Sequence, residues 1–183
     1  SLVRSGVLKN YDFSFLGDPR AGFISVFVLI TLFVGTFTGG ALLTKRFLSF
    51  VYYQSAVTKA GSGDINGAEE QIQNSLRLAN KDLYYRAGAE IKIAQANALL
   101  SSPEAKSSQA QFSAIAQDIN TRALGAVQAD PTNYLNHLSL ARAYASLFPI
   151  LSDTERVKAH DLAVQSYAAA QKLNPASPAI ALE

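Results

Sequence analysis

The chain has no cysteine, no methionine and no tryptophan, and only 16% of its 183 residues are charged. Without cysteine there is no disulfide scaffold, thiol nucleophile, cysteine zinc site or iron–sulfur cluster. The redox compartment stays open, because exported bacterial domains often lack cysteine too. Two histidines, His137 and His160, with no His-x3-His spacing are too few for a transition-metal site. His137 falls at a helix-packing position and reads as a core or half-buried imidazole. There is no Gly-rich phosphate loop, no G-x-S-x-G elbow and no H-E-x-x-H. The adjacent pair Glu69-Glu70 points about 100° apart on a helix and reads as a solvated face. Basic residues stand singly between acidic ones and the formal net charge is +2, the wrong footprint for nucleic acid. The sequence therefore offers no catalytic residue, no cofactor site and no metal site.

Charge is scarce because it is unevenly placed. Soluble domains average about 25% charged residues, whereas the 24 residues from Ala21 to Thr44 carry none. As a helix these rise about 36 Å, against about 30 Å of bilayer hydrocarbon. From Phe23 to Val34 the stretch is almost wholly apolar all round, with no polar stripe, unlike an amphipathic surface helix. A signal peptide has a shorter apolar core and a small-residue cleavage site, and neither fits here. The stretch predicts a transmembrane helix over 21–44, with 1–20 as a juxtamembrane linker and a buried soluble helix as the alternative. Thr31, Gly35 and Gly39 form a row of small residues where a second membrane helix of the same parent chain could pack. Glycine is also common in spanning helices for its own sake. Aromatic residues flank the span: Tyr11, Phe13 and Phe15 before it, Tyr52 and Tyr53 after it.

Orientation is nearly balanced by charge, with Arg4, Lys9 and Arg20 before the span and Lys45, Arg46 and Lys59 after it. The basic linker before Ala21 tips the reading towards a repeat domain on the extracytoplasmic side of a bacterial cell membrane. The start at Ser1 without methionine reads as a piece cut from something longer.

From Phe47 onward there are 11 basic and 12 acidic residues, and the apolar positions become periodic. Leu83, Ala87, Ile91, Ala94 and Ala98 define one helical face; Ala68, Ile72, Leu76 and Ala79 define another, and Ala159, Ala163, Tyr167 and Ala170 a third. No segment alternates strictly, so the soluble part is all-α. Breaks follow helix-ending chemistry: Gly61-Ser62-Gly63 with Asp64 as an N-cap, Ser101-Ser102-Pro103, Asp130-Pro131, Pro149 and Asn174-Pro175. Ser152 with Glu155 makes a capping box. The expected helices are 46–60 (continuous with the span), 65–79, 82–101, 107–129, 132–148 and 153–173.

Six helices on short turns make either a bundle or a solenoid, and small residues at the crossings favour the solenoid. Ala163, Tyr167, Ala170 and Pro175 keep the spacing of the second half of a tetratricopeptide repeat. His137, Leu140, Ala141 and Tyr144 follow the frame of its first half. Ile119, Ala123, Ala126 and Pro131, headed by Tyr85, Gly88 and Ala89, make a weaker pair. Ala68, Ile72, Ser75 and Asn80, with Tyr52 and Ala56, make another. The closing positions Asn80, Pro131 and Pro175 lie farther apart than the 34-residue period. The fold class is thus all-α: one transmembrane helix followed, over 45–183, by a TPR-like α-solenoid of about three divergent helix pairs.

With span and repeats combined, the chain resembles the C-terminal region of large bacterial membrane proteins of the O-antigen ligase/polymerase type. The residues that carry this are Asp18-Pro19-Arg20, Arg46-Phe47-Leu48, Tyr52-Tyr53, Gly63-Asp64, Asp82-Leu83-Tyr84-Tyr85-Arg86, Asp130 to Tyr134 and Lys172 to Pro175. The resemblance implies a glycan-transferring site in upstream membrane helices, and no residue of this chain matches it. Transferring the repeat frame puts Tyr53, Arg86, Glu90, Arg142 and Ser146 on a concave groove that takes a protein or peptide, the arginines offering planar forks to a carboxylate. Ordinary exposed helix residues are the alternative reading. Three functions remain: a non-catalytic protein-interaction scaffold tethered to the lipid bilayer, an accessory domain of a glycan ligase, or an adaptor in an envelope assembly. The sequence upstream of Ser1 separates them, many further spans with a large loop favouring the ligase and a single short leader excluding it.

Overall fold

The computed structural model of the protein describes residues 19–102 and 109–181. Most of the expected linker 1–20, with its flanking aromatic and basic residues, lies outside the described residues. So do Pro103 and the first residues of the helix expected from 107. Among the described residues all regular structure is helical, with seven α-helices: α1 (Pro19–Gly61), α2 (Ile65–Leu78), α3 (Asp82–Leu100), α4 (Gln109–Ala129), α5 (Tyr134–Ser146), α6 (Asp153–Leu173) and the short α7 (Pro178–Ala181). A 3-10 turn, Phe148–Ile150, carries Pro149 between α5 and α6. The chain divides into two units, Ser1–Thr44 and Lys45–Glu183.

In the first unit α1 is apolar on all sides. It is the one helix among the described residues long and apolar enough to cross a membrane, with a mean hydropathy of 2.2 over its most apolar stretch and none of that stretch buried. The hydroxyls of Thr31, Thr36 and Thr44 donate to the carbonyls of Phe27, Leu32 and Gly40, at 2.8–2.9 Å, one turn back along the same helix. A threonine that bonds its own backbone presents only its methyl outward, so these residues add little polarity to the surface.

In the second unit the helices pack on their sequence neighbours, α2 on α3, α3 on α4, α4 on α5 and α5 on α6, and α3 also meets α5. One core joins the end of α1 to α2 and α3 through Ala56, Ala68, Ile72, Tyr84 and Ile91. A second joins α3, α4 and α5 through Ala89, Ala96, Ile119, Ala123, Leu140, Ala143 and Leu147. Burial in this second core raises the pKa of the Tyr144 phenol. Alanine at the crossings lets backbones approach and leaves no room for a longer side chain. The first core also holds a polar pin: Ser75 Oγ donates to the Ser49 carbonyl at 2.8 Å, and Ser49 Oγ meets Tyr84 Oη at 3.2 Å. Both serines and Tyr84 are fully buried, and such groups stay inside only when paired.

The buried faces agree with the expected ones except on α3. There Tyr84, Gly88, Ala89, Ile91, Lys92 and Ala96 are buried, whereas Leu83 and Ala98 are exposed. The apolar stripe read from the sequence is rotated from the true core face because α3 has neighbours on several sides. Leu83 and Ala87 turn towards α5 and line a concavity there.

The turns use the expected chemistry. Gly63 has φ +84°, which an L-side chain tolerates poorly. Asp64 caps α2 by accepting from the Gly67 N–H at 2.9 Å. Asp130 accepts from the Thr132 hydroxyl at 2.7 Å and its N–H at 3.0 Å. Glu155 accepts from the Ser152 hydroxyl at 2.6 Å and its N–H at 3.1 Å, closing the capping box of α6. These bonds lower three carboxyl pKa values: Asp64 through the Gly67 N–H and Lys59, Asp130 through the Thr132 hydroxyl and N–H, and Glu155 through the same two groups of Ser152.

Two outcomes follow. A carboxylate with a lowered folded pKa adds stability above its unfolded pKa and loses it as pH falls through the folded value. The thermal midpoint should therefore fall below about pH 5, and less steeply in Asp64→Asn, which keeps a capping oxygen without the titration. Gly63→Ala has open space around it, so its cost is conformational alone, about 1–2 kcal/mol by denaturant titration.

Candidate functional site

The face of α3 carrying Leu83, Arg86, Ala87 and Glu90 looks across at the face of α5 carrying Leu135, Leu138, Ser139 and Arg142. Both sets repeat the steps three, one and three, the signature of one side of a helix. With Tyr53 of α1 they enclose a cavity of about 230 Å³. Its lining is apolar along the leucines and charged at Arg86, Glu90 and Arg142. Tyr53 stacks on Tyr84 with ring centroids 5.2 Å apart, which fixes the orientation of its ring.

Four of the five residues expected on a groove, Tyr53, Arg86, Glu90 and Arg142, thus line one concavity. Ser146 does not, and its hydroxyl donates to the Ala143 carbonyl at 2.8 Å. The two arginines differ. Arg142 and Glu90 are exposed, whereas Arg86 is mostly buried. Arg86 Nη1 donates to Asn136 Oδ1 at 2.8 Å and faces Asp82 Oδ2 at 3.4 Å. Asn136, fully buried, donates from its side-chain Nδ2 to the Asp130 carbonyl at 2.7 Å. Asn133 Nδ2 donates to Asp82 Oδ2 at 2.8 Å. This chain ties the start of α3 to the start of α5, so Arg86 shapes the cavity more than it faces a ligand.

Ser139 was not anticipated. It is 5% exposed, lines the cavity, and its hydroxyl is buried without a hydrogen-bond partner among the described residues. The repeated spacing on α3 and α5 was present in the sequence and would have singled it out. His137 is half-buried, and its Nε2 donates to the Pro131 carbonyl at 2.9 Å. Thr31, Gly35 and Gly39 stand on α1, and no other group lies within 4 Å of where a Cβ would sit at either glycine.

The reading of Glu69-Glu70 as a solvated face is corrected for Glu69. Glu70 is exposed, but the Glu69 side chain is only 12% exposed and both of its carboxylate oxygens are engaged by Arg122 of α4. Lys92 of α3 lies 3.4 Å from Glu69 and 3.2 Å from Asp118 of α4, and Gln73 donates to Glu69 at 2.7 Å. Arg122 also donates to the Gly88 carbonyl at 3.3 Å. A Cβ at Gly88 would stand 2.7 Å from the Arg122 guanidinium, so glycine clears the path of the arginine across α3. That glycine, inside a helix at a cost of about 1 kcal/mol against alanine, was the signal in the sequence.

Removing one partner of a buried pair leaves the other charge without compensation. Arg122→Ala should lower unfolding free energy by about 3–5 kcal/mol, measured by urea titration of the detergent-solubilised chain. A loss of about 1 kcal/mol or less, the range of exposed pairs, would contradict the buried network. Among the described residues no group of three or more His, Asp or Glu side chains is placed to hold a metal. No family model, curated protein or solved structure matches the chain.

Proposed function

We propose that the chain is a membrane-tethered, TPR-like scaffolding module, itself without catalytic machinery, that holds an extended segment of a protein partner between α3 and α5. The observation that carries this reading is the cavity lined by Tyr53, Arg86, Glu90 and Arg142, in which Leu138 and Ser139 are buried and the Ser139 hydroxyl has no partner among the described residues. An unpaired buried hydroxyl costs free energy, and a peptide backbone group reaching the hydroxyl after a rotation of that side chain would recover it. The apolar lining takes one or two aliphatic side chains, and Arg142 at the rim favours a partner with an acidic group.

Support for a repeat comes from burial at matching offsets. Ala68, Ile72 and Ser75 on α2, Ile119, Ala123 and Ala126 on α4, and Ala163 and Ala170 on α6 are all buried. The packing of α3 on α5 as well as on its sequence neighbours is the relation expected of first helices in successive pairs of a stack. The tether is the charge-free stretch of α1, read as spanning a bacterial cell membrane with the repeats on its outer side. Digestion of the repeats by protease only after permeabilising intact cells would reverse that orientation.

Panning of a random peptide library against the immobilised protein should enrich a short motif with aliphatic and acidic positions. Arg142→Glu should weaken binding of the enriched peptide at least tenfold with the circular dichroism unchanged. Arg86→Glu is the wrong probe, because it breaks the bonds to Asp82 and Asn136. Binding that survives Arg142→Glu, or no enrichment at all, would overturn the groove.

A further inference from the structure

Past Thr44, α1 continues with Lys45 and Arg46 and then changes character. Ser49 and Ala56 are fully buried, and Tyr53 and Ala60 pack with Ala56 in the core shared with α2. Phe47, Phe50 and Val51 are exposed by 67%, 46% and 44%. At 100° per residue these three fall within about 100° of one another, on the side of the helix away from Ser49 and Ala56. A helix in water that already buries one face gains nothing from two exposed phenylalanines on the other. The surface lies within seven residues of the last residue of the charge-free stretch, with Lys45 and Arg46 between them.

We propose that Phe47, Phe50 and Val51 form a bilayer-docking surface that inserts into the headgroup layer of an anionic membrane, Lys45 and Arg46 meeting the lipid phosphates. Three observations select lipid over a protein partner. The surface follows directly on a stretch suited to hydrocarbon. Its basic pair matches anionic headgroups, which attract lysine and arginine held close to the surface. Phenylalanines with lysine and arginine close by are the composition of helix faces that bury themselves at the boundary of headgroups and acyl chains. The face of α1 turned from the second unit's core is then a lipid contact, and Tyr53, its ring 6.4 Å from that of Phe50, marks the border between that face and the cavity. This inference rests on the reading of 21–44 as a span, and the experiment separates the two.

The chain has no tryptophan, so one introduced indole reports its own site alone. The full-length protein carrying Leu29→Trp, Phe50→Trp or Val164→Trp is reconstituted into vesicles of equimolar phosphatidylcholine and phosphatidylglycerol. Quenching is read with lipids brominated near the headgroup or deep in the chain, and with aqueous acrylamide. Leu29→Trp should respond to deep bromines and Val164→Trp, on the exposed side of α6, to acrylamide only. Phe50→Trp should respond most to shallow bromines, and that response should weaken in pure phosphatidylcholine or when Lys45 and Arg46 are both replaced by Gln. If Phe50→Trp behaves like Val164→Trp while Leu29→Trp is lipid-quenched, the docking surface is refuted and the span stands. If Leu29→Trp is not lipid-quenched either, both fall. Shielding of Phe50→Trp from lipid and acrylamide alike would mean that protein covers the face, a second copy or another helix, and would also overturn the proposal.

Discussion

The packing of α2, α3 and α4 depends on one crossing, where the Arg122 guanidinium passes over Gly88 to grip the Glu69 carboxylate. That contact joins α2 to α4 across α3, and Lys92 and Asp118 complete it with a second cation and a second anion. Charges taken out of water repay their desolvation only when geometry is good and the remaining hydrogen-bonding capacity is used. Here both Glu69 oxygens are engaged, and the arginine also binds a backbone carbonyl. A network of this kind specifies which helix lies where, because a slip of one turn on α3 would set a side chain against Arg122 in place of glycine. The same crossing sets the position of α3, and with it one wall of the cavity.

The rest of the second unit is held by small apolar residues and by polar pins of lesser extent. Ser75 bonded to the Ser49 carbonyl fastens α2 to the last part of α1. The chain from Asn133 through Asp82, Arg86 and Asn136 to the Asp130 carbonyl fastens α3 to α5. Each replaces water with an internal partner at a place where alanine packing brings backbones close. The cavity between α3 and α5 is therefore bordered by this polar latch and by Tyr53, which stacks on Tyr84.

Much of this was legible from local chemistry. Asp64, Asp130-Pro131 and the Ser152/Glu155 box mark their helix ends in sequence and in structure, because a cap depends on residues two or three positions apart. The apolar run before Lys45 was legible for the same reason. What escaped was set by partners distant in the chain. Glu69 looked solvated beside Glu70 because its cation, Arg122, arrives from another helix. The α3 core face was misplaced because a helix with several neighbours buries more than one stripe. Arg86 and Arg142 looked equivalent as groove arginines, but Arg86 is drawn inward against Asp82 and Asn136 while Arg142 is exposed.

With Arg122 locking them together, α2, α3 and α4 should unfold as one cooperative element. Native-state hydrogen exchange of the full chain in detergent, followed over increasing urea, tests this most directly. Slowly exchanging amides of α2, α3 and α4 should merge into a single opening reaction with one free energy and one urea dependence. Opening of α2 well below α3 and α4, as an independent unit, would contradict the central claim.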